Sequence, residues 1–181
     1  MSDATWKTIS RETVIANPWW SYRKDTVELP DGSRGEYHIV HTEGASMVIP
    51  LLETGEVVLV SQYRYLGGRR SLDFPCGGVK PGRTYEQTAS EELAEEAGYA
   101  ADTMTEIGSF NPFNGVTDEV CRVYLARGLR PVNAAPDPTE DCAPHLMLPA
   151  ELERRIRSGE IWDGMTLAAW VLSRPLSIKG G

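Results

Sequence analysis

Residues 90–98 read Ser-Glu-Glu-Leu-Ala-Glu-Glu-Ala-Gly, and the carboxylates of Glu91, Glu92, Glu95 and Glu96 are the groups best suited to chemistry. An α-helix turns about 100° per residue, which puts Glu95 about 40°, Glu92 about 100° and Glu96 about 140° from Glu91. All four share one face, while Leu93, Ala94 and Ala97 fall on the other and can meet a core. Like charges at i and i+4 repel, and this face holds two such pairs, 91/95 and 92/96. Between Arg83 and Arg122 the chain has no Lys or Arg to relieve them. A divalent cation would do so, because hard cations such as Mg2+ take carboxylate oxygens, waters and substrate phosphates as ligands. The same residues would also make an ordinary solvated acidic face. The preceding stretch, Pro75-Cys76-Gly77-Gly78-Val79-Lys80-Pro81-Gly82, tips the balance toward the cation. Its glycines let main-chain carbonyls and amides come close to the carboxylates.

A helix over residues 85–97 would carry this face. Thr84 and Gln87 have the capping-box spacing, and Gly98 stands where a C-terminal cap belongs. Strands are expected over residues 36–41, 46–52, 103–110, 120–126 and 145–148, and residues 19–29 are a further candidate. Val57-Val58-Leu59-Val60 is a continuous apolar run of the kind found in a buried strand. Residues 75–82 and 133–144 read as loops. Pro149 opens a helix to about residue 158, and a last helix over residues 165–173 is expected to end before Pro175. Strands and helices mix without strict βαβ alternation, which predicts an α/β sandwich on a mixed sheet. Residues 1–35 read as a separable N-terminal β segment with a dimer contact as its expected role, and 36–181 as the main domain.

The chain has 181 residues, with 18 Lys plus Arg against 26 Asp plus Glu, a net charge of −8. That sign disfavours duplex nucleic acid as a partner, yet permits a phosphorylated small molecule where bound cations reverse the local field. No run of residues is long and apolar enough for a membrane helix, and residues 1–10 lack the pattern of a signal peptide. The expected location is the cytoplasm. Cys76, Cys121 and Cys142 have neither disulfide-framework nor zinc-site spacing, so they read as small buried or half-buried residues.

Taken together, Gly77, Glu92, Leu93, Glu95, Glu96, Gly98 and Tyr99 resemble the Nudix box at the family spacing. Arg83 stands where the box has its first Glu, and Glu91 where it has Arg. The likeness extends to Gln62-Tyr63-Arg64, Leu72-Asp73-Phe74-Pro75-Cys76-Gly77, Asn111 through Glu119 and Ser158 through Thr166, covering most of residues 57–173. These resemble the ADP-ribose pyrophosphatase branch, in which a proline often stands where this chain has Asn114.

The resemblance implies a Nudix-type α/β/α sandwich that hydrolyses the pyrophosphate of a nucleoside diphosphate sugar with Mg2+ or Mn2+. It implies Glu92 and Glu96 as main metal ligands, Glu95 as their support, and the main-chain carbonyl of Cys76 as a further ligand. Arg64 would contact phosphate, a role suited to its planar fork of donors. Asp73 and Asn114 would lie among the substrate-binding residues. Glu140 is the first candidate for general base and Asp141 the second, with a solvated acidic loop as the plain alternative. Glu119 would position the substrate or the attacking water. Trp20, with Trp19 and Tyr22, could stack on a nucleobase, or pack in a core or dimer contact. Relatives of this branch also imply a homodimer. Arg83 and Glu91 look like an exchange of charges, so they are expected to pair with polarity reversed. Two other functions stand beside this one: a nucleotide-binding sensor that has lost catalysis, and a nucleoside triphosphate pyrophosphatase.

Overall fold

The computed structural model describes residues 5–133 and 142–177. Strands β1 (Lys7–Ala16), β2 (Ser21–Glu28) and β3 (Arg34–His41) form an antiparallel N-terminal sheet. Then follow β4 (Ala45–Pro50), β5 (Val57–Arg64), β6 (Arg69–Asp73) and β7 (Cys76–Gly78). Helix α1 (Tyr85–Ala97) leads into β8 (Tyr99–Ala100), β9 (Thr103–Phe110), β10 (Cys121–Arg127) and β11 (Arg130–Pro131). The last elements are β12 (Ala143–Met147), α2 (Pro149–Arg157) and α3 (Gly164–Ser177).

The main sheet runs β7-β4-β10-β9, with β4 parallel to β10 and antiparallel to β7, so it is mixed. A second sheet runs β12-β5-β6. All six residues of β4 are buried, as expected for a strand covered on both faces, which reads as a continuous apolar run. Strand alternation then divides the core in two. Met47, Ile49, Val57, Leu59, Cys121 and Val123 join Leu152 of α2 and Trp170 of α3 on one side. Val48, Val58, Val60, Tyr124 and Ala126 join Ala89, Leu93 and Ala97 of α1 on the other. Helices therefore sandwich the strands, and α1 is pinned by its apolar stripe with Glu92 and Glu96 turned toward β7.

Several elements differ from the sequence expectation, among them the two-residue strands β8 and β11, where none was expected. Strand β1 is exposed along its whole length, so no apolar alternation marks it. Strand β3 begins at Arg34 and pairs with β2 from Ser21↔His41 to Glu28↔Arg34, so the N-terminal sheet runs past residue 35 to His41. Residues 76–78 form the short strand β7 on the edge of β4, where a loop was expected. Helix α3 continues through Pro175. Proline costs one main-chain hydrogen bond there, while burial of Ala169, Trp170 and Ser173 in the preceding turns holds the helix in place.

Candidate active site

Helix α1 is fixed at both ends. The Thr84 hydroxyl accepts from the Gln87 amide at 3.1 Å and the Gln87 side chain accepts from the Thr84 amide at 2.9 Å. Gly98, at φ 75°, adopts the left-handed conformation and donates to the carbonyls of Ala94 and Leu93. Glu91, Glu92, Glu95 and Glu96 on this helix meet different surroundings. Glu96 is 5 % exposed, and its carboxylate accepts the Cys76 amide at 2.9 Å. The Cys142 thiol lies 3.8 Å from its other oxygen. A buried carboxylate needs such donors, because leaving water without them costs several kcal/mol. Glu92 is half-buried and lies against Gly77, where a Cβ would overlap its carboxylate. Glycine at 77 is thus required for the close approach of main chain to carboxylate. The half-buried Cys76 is held well above the usual thiol range, first by its hydrogen bond to Cys121 and then by desolvation, and stays neutral. Glu95 is exposed.

Glu92, Glu96 and the β7 main chain therefore converge, while Glu95 stands apart in the solvent. Among the described residues no three His, Cys, Asp or Glu side chains form a ready-made metal cage. The donor set of two carboxylates beside main-chain groups suits a hard cation that keeps waters and substrate phosphates as its other ligands.

Arg64 ends β5, with Nε 2.8 Å and Nη2 2.6 Å from one oxygen of Asp73. The other Asp73 oxygen accepts the Ser71 hydroxyl at 2.5 Å. Burial pushes the Asp73 carboxyl above the usual carboxylate range, against the pull of Ser71 and Arg64. Partial burial works against the Arg64 charge, and Asp73 beside it more than offsets this. Asp73 was expected to bind substrate. It is fully buried, so it reaches a substrate only by aiming the half-exposed Arg64. The strand register sets Asp73 opposite Val60 and Arg64 opposite Arg69, so the ion pair joins positions that do not face each other.

Glu119 is held by the Thr42 hydroxyl at 3.0 Å, and its carbonyl accepts from the Asn111 side chain at 2.9 Å. Asn114 lies on the exposed turn of the same loop. Trp19 and Trp20 are exposed at the surface, their amides both donating to the Asn17 side chain at 2.9 Å. Glu140 and Asp141 lie outside the described residues.

A NUDIX domain model matches residues 41–165. The chain belongs to the Nudix family. A nucleoside diphosphate sugar hydrolase N-terminal domain model matches residues 6–40, the stretch that folds as the β1–β3 sheet. The chain is similar to an ADP-ribose pyrophosphatase of Mycobacterium tuberculosis (strain ATCC 25618 / H37Rv), 34% identical over 172 residues, 93% of this chain and 83% of the relative. It is also similar to an ADP-ribose pyrophosphatase of Bacillus subtilis (strain 168), 31% identical over 166 residues, 90% of this chain and 89% of the relative. The crystal structure of an ADP compounds hydrolase shares the Nudix fold, with a TM-score of 0.86 at 20% identity, covering 100% of this chain and 98% of the other.

Of the two departures from the Nudix box, Arg83 Nη2 lies 3.0 Å from Glu91 Oε1. They pair as the reversed charges predict. The pair is half-exposed, so its coupling should be about 0.5 kcal/mol. Arg83→Glu and Glu91→Arg should each lower stability slightly, and the double exchange should recover it in a double-mutant cycle. Strictly additive losses would show that the pair contributes nothing.

Proposed function

We propose that this Nudix protein hydrolyses the pyrophosphate bond of a nucleoside diphosphate sugar such as ADP-ribose, giving a nucleoside monophosphate and a sugar phosphate. The observation that carries this reading is the convergence of buried Glu96, Glu92 and the Cys76–Gly77 main chain. Similarity to two ADP-ribose pyrophosphatases over about nine-tenths of the chain supports the substrate class. Glu92, Glu96 and the Cys76 carbonyl would hold Mg2+ or Mn2+, with Glu95 near by in solvent. Such an ion, when bound, neutralises diphosphate charge and polarises phosphoryl oxygens.

The chain's own groups supply the rest. Arg64, held by Asp73, offers its remaining guanidinium donors to a phosphate oxygen. Glu119, held by Thr42, orients substrate or water. Glu140, outside the described residues, is the proposed general base. Trp20 and Asn114 take the nucleoside end. Exposed Trp6, Ile9 and Ile15 on and beside β1 favour a homodimer through the N-terminal sheet. The Arg83–Glu91 pairing supports an active enzyme over a sensor that has lost catalysis.

The test is nucleoside monophosphate formation from ADP-ribose, other nucleoside diphosphate sugars and nucleoside triphosphates, with Mg2+, Mn2+ or a chelator. Turnover of the nucleotide sugars that the chelator abolishes is the expected result. Turnover of triphosphates alone would replace the substrate class. Tight nucleotide binding with no turnover of any compound would favour the sensor.

A further inference from the structure

Asp118 sits one residue before Glu119 and collects three partners from two separate parts of the chain, Arg23 and the adjacent pair His41 and Thr42. Its Oδ2 accepts Arg23 Nη2 of β2 at 2.6 Å and lies 2.8 Å from His41 Nδ1 at the end of β3. Its Oδ1 accepts the Thr42 amide at 3.3 Å. Arg23 is largely buried, and among the described residues its Nε has no partner. Asp118 is thus the charge partner that makes burial of this guanidinium tolerable.

Main-chain bonds continue from this junction in both directions. The Val40 amide donates to the Val116 carbonyl at 2.9 Å, joining β3 to residues 111–119. Thr42 donates its hydroxyl to Glu119 and accepts the Gly44 amide at 3.2 Å. The Val79 amide in turn donates to the Gly44 carbonyl at 2.9 Å. That last bond fastens the glycine-rich stretch that lies against Glu92 and Glu96. A continuous hydrogen-bonded path therefore runs from the N-terminal sheet through Asp118 and Thr42–Gly44 to the carboxylate cluster.

We propose that Asp118 is a positioning residue for the hydrolysis: its clasp on Arg23, His41 and Thr42 sets the N-terminal sheet, residues 111–119 and the β7 stretch in register. This rests on the proposed function for its catalytic consequence, but not for the clasp itself. Groups that bind the nucleoside end lie on the sheet and loop, whereas the reacting end lies at β7. Loosening the clasp should therefore weaken substrate capture more than it slows chemistry.

The experiment compares wild type with Asp118→Asn, which keeps size and removes charge, and with Arg23→Gln, which removes one arm. Arg23→Lys keeps the charge and serves as the conservative control. Hydrogen exchange is read at the amides of Val40, Ala45 and Val79, alongside KM and kcat for a nucleoside diphosphate sugar. Asp118→Asn should speed exchange at Val40 and Val79 and raise KM about tenfold with kcat within about threefold. Arg23→Gln should shift both readouts the same way by less, and Arg23→Lys should restore them. If Asp118→Asn fails to fold, the Arg23→Gln and Arg23→Lys comparison decides by the same readouts. Unchanged exchange at all three amides overturns the clasp. Faster exchange with KM and kcat both unchanged overturns the positioning role. If wild type turns over no nucleotide sugar, the proposed function fails, and exchange alone decides the clasp.

Discussion

Glu96→Gln is expected to lower kcat by about 10²–10³-fold, equivalent to about 3–4 kcal/mol of transition-state stabilisation. The loss should come without unfolding. Glutamine matches glutamate in shape and keeps a carbonyl oxygen to accept the Cys76 amide that now bonds to Glu96 at 2.9 Å. What disappears is a buried negative charge beside Glu92 and the β7 main chain. Glu95→Gln on the exposed side of the same helix should lose less. Steady-state kinetics and thermal unfolding of both variants check this. Full activity in Glu96→Gln would remove α1 as the catalytic centre.

Gly77→Ala carries the next largest effect. The added Cβ would overlap the Glu92 carboxylate, so something must move. Either Glu92 rotates out of the cluster or β7 shifts off the edge of β4. Overpacking of this kind costs about 1–3 kcal/mol, and here it falls on a proposed ligand, so activity and Mg2+ response should both suffer. Gly78→Ala is the control, because the nearest atom to its Cβ would be the Gly44 carbonyl oxygen at 4.0 Å, an ordinary contact. Metal titration of activity and thermal midpoints should separate the two glycines. Equal, mild effects would mean that main chain and Glu92 do not cooperate.

Much of this protein is determined locally. Capping box, apolar stripe and terminal glycine define α1 to the residue, because helix ends are set by groups within four positions of each other. The apolar run Val57–Val60 of β5 announces a buried strand. Shared helical phase places four carboxylates on one side, and the exchanged charges at 83 and 91 foretell their ion pair. Tertiary structure alone decided the rest. Phase could not say that Glu96 would be buried and Glu95 exposed, since burial came from Cys76 and Cys142, 20 and 46 residues away. Asp73 read as a substrate contact, yet folding buries it fully and pairs it with Arg64. Strand β1, exposed throughout, has no hydrophobic period to read. Asp118 looked like a neighbour of Glu119, and became a junction only when Arg23, His41 and Thr42 arrived from 95, 77 and 76 residues away. Periodicity and capping are short-range physics and are written in the sequence, whereas the depth and partners of a charged group depend on chain segments that meet only on folding.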